Sequence, residues 1–340
     1  MMLAAKLDDY YEMHGLSDSV IAYRALGKAN YGFAGEAMEF AKQHSPVVVL
    51  AFDVTGFFDH LDHGLLKNRL KHILNTAELE EHWFKVFRFM TKFRYVALDD
   101  LRTHPQFRSR LKEMSREPIA SMSELKQAGI KFRKNPKPGK GIPQGTPISA
   151  AFSNLYMIQY DAAARAYCEN IGAFYRRYSD DILVICKPND AANAEAEITS
   201  LMMDERLEFS PDKTERTEFD VNGGLFSNSK AAQYLGFNLS SSGAAIRQSS
   251  LSRQWRKMRR AFKRTRKVAE AEIAAGRADK VWTKKLRRRF TALKFRNFSS
   301  YGRRAAAAFG PDERITRQIR RFERVAEREL DKLKKLGPST

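Results

Sequence analysis

Cysteine is scarce in this sequence of 340 residues, and long hydrophobic runs are absent. The two cysteines, Cys168 and Cys186, are too few for a disulfide scaffold or a cysteine-rich zinc site, and they indicate a reducing compartment. The longest strongly apolar stretch, residues 46–52, is far shorter than the roughly 20 residues that a membrane helix needs. The N-terminal segment turns acidic too early for a signal peptide. The sequence therefore predicts a cytoplasmic protein with no membrane partner.

The charge of the chain is concentrated in its C-terminal part. Sixty Lys and Arg residues against 40 Asp and Glu residues give a net charge of +20. Residues 246–340 hold 30 basic and 9 acidic side chains, a net of +21, so residues 1–245 are close to neutral. Such an excess favours a polyanionic partner over an ordinary solvated face. A Ser/Gly-rich stretch at 240–250 separates the two parts, and we expect two domains, 1–245 and 246–340.

The basic C-terminal part is predicted to be helical. Apolar residues recur at helical spacing over about 252–273, about 278–296 and a segment after Pro311. A packed bundle with a solvated basic face would explain this pattern as well. We expect the helices to pack through their apolar stripes while the cations contact phosphates. The densest candidates for phosphate contacts are Arg256, Arg259, Arg260, Lys263, Arg264, Arg287, Arg288 and Arg289.

Carboxylates stand at the ends of predicted strands in two places. Residues 47–52 form an apolar run typical of a strand buried on both faces, and the run ends at Asp53. Residues 174–187 predict a β-hairpin with Asp180 and Asp181 at its tip. A capping aspartate and an ordinary acidic hairpin tip are the alternatives. If the strands are neighbours in one sheet, the three carboxylates converge and suit two Mg²⁺ ions, or Mn²⁺, that activate a hydroxyl and stabilise a departing phosphate.

A cationic loop and a turn precede a further predicted helix. Residues 131–140 carry five basic side chains, two prolines and a glycine. The turn that follows contains Gly141 and Gly145, which would let the backbone approach a ligand closely, although an ordinary Pro/Gly loop would look the same. Together with the carboxylates and the basic helices, this pattern predicts nucleotidyl transfer on nucleic acid.

The palm motifs of reverse transcriptases resemble five segments of this sequence in order and spacing, between about Ala22 and about Phe237. These segments are FDVTGFFDHLDH (52–63), GIPQGTPISAAFSNLYM (141–157), YSDD (178–181), LEFSPDKTE (207–215) and QYLGF (233–237). The resemblance implies an α+β right-hand polymerase, with fingers and a palm whose antiparallel sheet is flanked by helices, followed by an all-helical basic thumb. Residues 22–42 resemble the fingers of the prokaryotic "unknown group" or abortive-infection enzymes, which act in defence. Retron and group II intron enzymes are more distant relatives.

The resemblance also implies roles for single residues. Asp53, Asp180 and Asp181 match the metal-binding carboxylates, and the backbone carbonyl of Val54 would complete the metal shell. Phe58 matches the steric gate, where an aromatic ring opposes a ribose 2′-OH and so favours dNTPs. Lys213 matches the lysine suggested to protonate the leaving pyrophosphate, with a surface lysine as the alternative. The residues matched to nucleotide binding are Arg24, Lys28, Gln144, Gly145 and Tyr178, and those matched to the primer grip are Leu235, Gly236 and Phe237.

Several departures bear on the subfamily. Ser179 stands between Tyr178 and Asp180, where retron and intron enzymes usually carry alanine. Neither retron signature, Asn-Ala-x-x-His between the first two palm motifs or Val-Thr-Gly after QYLGF, is found at its expected place. No Cys/His set could hold a nuclease zinc. These departures favour a defence-associated enzyme over a retron or mobile-intron enzyme.

The expected function is RNA-directed DNA polymerisation from dNTPs on an RNA template, with a DNA product and a role in antiphage defence. The expected template is a dedicated noncoding RNA. Two alternatives remain at this point. An RNA-dependent RNA polymerase shares the palm, but Phe58 opposes NTPs. A non-catalytic RNA-binding or splicing helper is opposed by the complete carboxylate set. The primer, either an RNA 3′-hydroxyl or a protein tyrosine, and the oligomeric state stay open.

Overall fold

The computed structural model describes residues 2–113, 117–222, 225–228, 230–293, 296–310 and 313–336. Its helices are α1 (Met2–Met13), α2 (Asn30–His44), α3 (Phe57–His60), α4 (His63–Ile73), α5 (Glu81–Thr91), α6 (Leu98–Thr103), α7 (Pro105–Lys112), α8 (Met122–Gln127), α9 (Pro147–Tyr156), α10 (Ile158–Asn170), α11 (Ala191–Asp204), α12 (Gln248–Ala274), α13 (Lys284–Phe290), α14 (Phe298–Ala308) and α15 (Glu313–Lys334). Its strands are β1 (Val47–Asp53), β2 (Arg94–Tyr95), β3 (Arg133–Lys134), β4 (Phe174–Tyr178), β5 (Asp181–Cys186), β6 (Glu215–Asn222), β7 (Leu225–Asn228), β8 (Ala232–Tyr234), β9 (Phe237–Ser240) and β10 (Gly243–Ile246).

The chain divides into two compact units whose segments alternate along the sequence. The first unit comprises Met1–Arg24, Val54–Arg165 and Glu197–Ser210, and the second comprises Ala25–Asp53, Ala166–Ala196 and Pro211–Thr340. The predicted domains 1–245 and 246–340 divide the chain differently, according to charge, and that division stays a prediction. No helix in the described ranges combines the length and the apolarity that crossing a membrane requires.

The second unit contains a five-stranded antiparallel sheet with the order β4-β5-β1-β6-β7. Its central strand β1 is the apolar run of the sequence, and the consecutive residues Val48 and Val49 are 0% and 5% exposed, so both faces of the strand are covered. The helix α2 packs against β1 and β5. The predicted α+β class with an antiparallel sheet is confirmed.

The C-terminal helices α12 to α15 share one apolar core in the same unit. Its largest members are aromatic: Phe262, Phe290 and Phe322 are each at most 3% exposed, and Phe262 and Phe322 each contact the ring of Phe290. The helix α12 ends where Gly276 adopts a φ of +67°, as the sequence predicts. The C-terminal part is helical as expected.

One helix prediction in this part was wrong. The sequence pattern predicts a helix over about 278–296, whereas α13 covers only Lys284–Phe290, and the helix α14 that follows it was not predicted. Thr291 is extended at the end of α13, and the side chain of Asn297 accepts a hydrogen bond from the backbone N–H of Ser300 at the start of α14. Asn297 therefore begins a new helix. Residues 294–295 and Pro311 of the predicted pattern lie outside the described residues.

The first unit is mainly helical, with the small sheet β2–β3. The helix α1 buries Leu3, Leu7 and Tyr11, which recur every four residues and face α4 and α9. Its core contains an ion pair between Arg69 of α4 and Glu205, which are 3% and 4% exposed. The guanidinium of Arg69 also donates to the carbonyl oxygen of Tyr156. A charge buried this deeply depends on its partner, so the pair fixes how α4 packs.

Candidate active site

The two predicted carboxylate strands are neighbours. In the antiparallel pair β1–β5, Asp53 at the end of β1 lies directly opposite Asp181 at the start of β5. The side chains of Asp53 and Asp181 therefore share one edge of the sheet, and Asp180 precedes Asp181 in the hairpin loop. The condition under which the three carboxylates would converge, that the two strands are neighbours in one sheet, is therefore met.

A tight turn presents Asp180 and Asp181. Strands β4 and β5 are joined by two residues, and the first of them, Ser179, adopts a φ of +62°. The fully buried guanidinium of Arg177 donates to the carbonyl oxygen of Ser179 at 3.1 Å. A positive φ at a residue other than glycine persists only where the surroundings hold it. Arg177 thus supports the turn from inside the protein.

A lysine already neutralises part of the carboxylate charge. The Nζ atom of Lys213, which follows Asp212 in the short 3₁₀ turn Pro211–Lys213, lies 2.6 Å from Oδ1 of Asp53. This hydrogen bond raises the pKa of Lys213. Burial, together with the charges of Asp180 and Asp53, raises the pKa of Asp181 to about 6. The carboxylates are thus close enough to repel one another, and a cation at this edge is stabilising.

The donor set suits a hard divalent cation. Carboxylate oxygens are the ligands that Mg²⁺ prefers, and the ammonium group of Lys213 occupies the position beside Asp53 that such a cation would take. Within the described ranges, no three His, Cys, Asp or Glu side chains are arranged to hold one ion as they stand. A cation that binds Oδ1 of Asp53 would compete with Lys213 for that oxygen, and Asp53, Asp180 and Asp181 would supply the oxygen ligands.

The predicted primer-grip residues form a second strained turn in the same unit. Leu235 and Gly236 connect β8 to β9, and their φ angles are +46° and +87°. Two central residues with positive φ match the twist of a two-residue hairpin, but leucine rarely adopts this conformation. The backbone N–H of Arg247 donates to the carbonyl of Gly236 at 2.9 Å. The turn and the carboxylates line one cavity of about 480 Å³, whose wall includes Asp53, Asp181, Lys213, Leu235 and Gly236.

A larger cleft of about 910 Å³ extends from this turn towards the C-terminal helices. Its lining includes residues of the two hairpins, among them Tyr178, Asp181 and Gly236. The lining also includes residues from α12, α13 and the segment before α14. The cations among them, which we call the basic wall of the cleft, are Lys257, Lys285, Arg288, Arg289 and Arg296. The cleft therefore contains both Asp181 and a cluster of cations.

The predicted phosphate-binding residues do not form one surface. Arg288 and Arg289 line the cleft. Arg256, Arg259 and Lys263 border cavities between α12 and α15 instead. The remaining members of the predicted set are Arg287, which pairs with Glu327 at 3.2 Å, and Arg260 and Arg264, which are exposed on α12. Phosphate contact by all of these residues stays a prediction.

Other predicted site residues belong to the first unit. Phe58 is half-buried and its ring meets that of Phe57 edge-on at 5.4 Å. Gln144 and Gly145 are exposed, and Gly145 has a φ of +93° with open space where a side chain would begin. Gly141 differs, because a Cβ atom there would lie 2.9 Å from the carbonyl oxygen of Asp59. Gly145 is thus free to approach a ligand, whereas Gly141 serves packing.

Three predicted residues have structural contacts. In the first unit, Arg24 donates to Asp8 at 2.6 Å and to the carbonyl of Val20, and its side chain is only 7% exposed. Val54, also in the first unit, is buried and bridges to Phe209. In the second unit, Lys28 pairs with Glu36 at 2.6 Å. Their roles towards nucleotide and metal stay predictions.

Sequence reasoning missed several residues of the site. Arg177 was missed because it lies within an otherwise apolar strand pattern, where only the presence of an arginine indicates a special role. Arg247 lines the carboxylate cavity, and its charge lowers the pKa of Asp181 against the other contributions. Lys257 and Lys285 lie on the basic wall of the cleft, although the arginine clusters beside them are denser in sequence.

Comparison with known proteins agrees with this arrangement of motifs. Residues 3–239 match the family model described as "Reverse transcriptase (RNA-dependent DNA polymerase)". The chain belongs to the reverse transcriptase family. The match covers most of the chain and includes all of the carboxylates and the primer-grip turn, but it does not reach the basic helices. No curated protein sequence is detectably similar to this reverse transcriptase.

Solved structures of telomerases are among those that this chain resembles. A telomerase from Candida albicans, in complex with the TWJ fragment of telomeric RNA, aligns over 97% of this chain and 45% of its own, with a TM-score of 0.50 and 12% identity. A truncated apo telomerase from Candida tropicalis aligns over 71% of this chain and 43% of its own, with a TM-score of 0.43 and 14% identity. The chain spans less than half the length of these telomerases. The likeness to the Candida albicans structure supports the predicted right-hand polymerase fold.

Proposed function

We propose that this reverse transcriptase is an active RNA-directed DNA polymerase that transfers dNTPs to a primer 3′-hydroxyl on an RNA template, using two Mg²⁺ ions. The observation that carries the proposal is the register of β1 and β5, which sets Asp53 opposite Asp181, beside Asp180. Three carboxylates at one sheet edge repel one another, and catalysis of nucleotidyl transfer is a physical reason to keep them together.

Each residue of the candidate active site would have its own role in the reaction. Asp53, Asp180 and Asp181, with the carbonyl of Val54, would hold the ions. When bound, the ions activate the attacking hydroxyl and stabilise the charge on the departing pyrophosphate. Lys213 bonds to Asp53 in this structure, and release from that contact would free its ammonium to donate a proton to the leaving group. The aromatic ring of Phe58 would reject a 2′-OH at the incoming sugar.

The test compares two carboxylate variants of the full chain. The double variant Asp180→Ala/Asp181→Ala should lose incorporation of labelled dNTP on a primed RNA by at least about 10³-fold, since both ions lose ligands. The variant Glu218→Gln removes an exposed carboxylate from β6 of the same sheet and should keep full activity. Retained incorporation by the double variant would sink the proposal. Supplying NTPs in parallel distinguishes an RNA polymerase, and no incorporation by the wild type with any substrate would favour an RNA-binding helper.

We further propose a dedicated noncoding RNA as template and a role in antiphage defence. The support for this finer proposal is the resemblance of residues 22–42 to the abortive-infection enzymes, together with the basic charge of residues 246–340. Cells that express the wild type should resist phage infection, and cells that express Asp180→Ala/Asp181→Ala should not. Sequencing of RNA that copurifies with the full chain should return one abundant transcript. A mixture resembling total cellular RNA would contradict the dedicated template.

A further inference from the structure

The C-terminal helices carry a second basic surface, separate from the cleft. Two cavities of about 610 Å³ and 650 Å³ lie between α12 and α15, and they share Arg259 and Val325 in their walls. Because of these shared walls they form one continuous depression, which we call the α12–α15 furrow. Its exposed cations are Arg256, Arg259, Lys263, Lys267 and Arg321.

The furrow and the cleft use different faces of the same helix. Ser250, Gln254 and Lys257 of α12 line the cleft. Lys257 and Arg259 lie about 200° apart around a helix of 3.6 residues per turn, so a ligand in the cleft does not reach the furrow along that helix. The cations of the furrow therefore have no role in the cleft that the geometry explains.

The furrow cations form no ion pairs within the described residues, although Glu270 and Glu329 also line one end of the furrow. None of the five furrow cations pairs with a carboxylate in the described part of the chain, whereas Arg266, at the end of the furrow, pairs with Glu329 at 3.0 Å. Arg259 instead lies 5.9 Å from the ring centre of Trp255. Five exposed cations on one depression repel one another, and their accumulation favours a bound anion.

The spacing of the cations favours a polymer over a single anion. Arg256, Arg259, Lys263 and Lys267 are three to four residues apart, so a cation recurs about every 5.4 Å along the helix axis. Such a row matches the regularly repeated charge of a phosphate backbone, and the half-buried Trp255 and Val325 in the same walls offer apolar surface to bases.

We propose that the α12–α15 furrow binds a single-stranded segment of RNA outside the primer–template duplex, so that one chain holds its RNA at two places. This proposal rests on the proposed function only in that the chain binds RNA, and its test needs no catalysis. An acidic protein segment is the alternative occupant. It is disfavoured because the cations recur at even spacing along α12, as the charges of a phosphate backbone do.

The experiment uses the full chain and the double variant Lys267→Glu/Arg321→Glu. Its control is Lys42→Glu/Lys187→Glu, which changes the net charge equally at exposed residues of the same unit. The probes are a blunt RNA–DNA duplex of 12 base pairs and the same duplex with a 25-nucleotide single-stranded RNA extension. We expect the furrow variant to bind the extended probe at least about tenfold more weakly than the control does, with a salt slope lower by about 1.4, because two phosphate contacts are lost. Binding of the blunt duplex should match the control.

Three results would overturn the proposal. Equal losses on both probes would assign these cations to the cleft. A furrow variant that behaves like the control would show that the furrow is a solvated face. If poly-glutamate displaces the extended probe from the wild type but not from the furrow variant, at the concentration where poly-uridine has no such selectivity, the occupant is an acidic protein. Thermal unfolding of both variants shows whether they fold, so a loss of binding is not mistaken for a loss of structure.

Discussion

At the scale of single residues, the chemistry of this protein depends on charges that the fold forces together. Asp181 lies opposite Asp53 and beside Asp180, and burial and these neighbours raise its pKa to about 6. An aspartate in the unfolded chain ionises near pH 3.9. The folded state thus holds a proton that the unfolded state has lost, and the metal-free protein loses stability as the pH rises from about 4 to about 6.

The loss of stability with rising pH can be tested by removing the carboxyl group of Asp181. Asp181→Asn removes the ionisable group, so in chelator it should raise the melting temperature above that of the wild type at pH 7.5, by a few degrees. The gain should be much smaller at pH 4, where Asp181 is protonated in the folded wild type and about half protonated in the unfolded chain. Added Mg²⁺ should stabilise the wild type more than the variant. Scanning calorimetry at three pH values measures both effects, and an equal gain at pH 4 would show that the charge of Asp181 is not the cause.

Phe58 offers a test of sugar choice. Phe58→Ala should lower the preference for dNTPs over NTPs by roughly tenfold or more, since removing the ring opens space for a 2′-OH. The control Phe84→Ala removes the ring of a phenylalanine in the same unit that is 43% exposed. This variant should keep the preference for dNTPs over NTPs. Competition between labelled dNTP and NTP on one primed RNA measures the ratio. An unchanged ratio in Phe58→Ala would leave Phe58 as a packing partner of Phe57.

At the scale of elements, the sequence predicted those parts whose signals are local. The strand β1 was predicted because its apolar run is continuous, and the β4–β5 hairpin because two apolar halves flank Ser179 and Asp180. The order of the strands could not be predicted from residues alone, since β6 joins β1 across more than 160 residues. The turn at Leu235 was not predicted either, because a leucine in the sequence does not indicate a positive φ.

The helix α14 shows a different limit. The predicted helix ended at about residue 296, before α14 begins, and only Asn297, a good N-cap residue, marks the start of α14. The candidate site shows the same division between local and long-range information. The carboxylates stand at predicted strand ends, whereas the burial of Arg177 and the separation of cleft from furrow depend on packing between distant segments.

Helix packing in the C-terminal part gives the prediction at this scale. A Cβ atom at Gly302 of α14 would lie 2.2 Å from Cδ1 of Ile319 on α15, so the two helices approach closely only because this residue is glycine. Gly302→Ala should therefore destabilise the protein by about 1–3 kcal/mol despite the better helix propensity of alanine. In Gly32→Ala, the new methyl group meets only the Cβ atom of Lys28 at 3.8 Å, and stability should be unchanged or rise by about 0.5–1 kcal/mol. Chemical denaturation of both variants measures the difference, and equal effects would contradict the close approach.

At the scale of the whole molecule, the same C-terminal residues carry the positive charge and make contacts that hold the fold together. All of the excess positive charge lies in residues 246–340. These residues are also structural partners of the sheet β8–β10, since Gln318 of α15 bonds to both the N–H and the carbonyl of Ile246, and Arg314 donates to Ser240. Truncation before residue 246 would remove those contacts and expose the apolar surface around Phe237. Loss of RNA binding in a truncated chain would thus not separate charge from structure.

Substitution of exposed cations on the basic wall of the cleft separates the effect of charge on RNA binding from the effect of structure. The triple variant Lys257→Ala/Lys285→Ala/Arg288→Ala should keep the fold, because all three residues are exposed, and should bind a blunt RNA–DNA duplex more weakly whatever its sequence. If each residue contacts one phosphate, the slope of log affinity against log salt should fall by about 2–3. The control Lys42→Ala/Lys187→Ala/Lys230→Ala removes the same charge from exposed positions and should change the slope by less than about 1. The net charge is equal in the two variants. Equal slopes would therefore mean that binding of the duplex depends on the total charge of the protein, and they would contradict the binding of primer–template in the cleft.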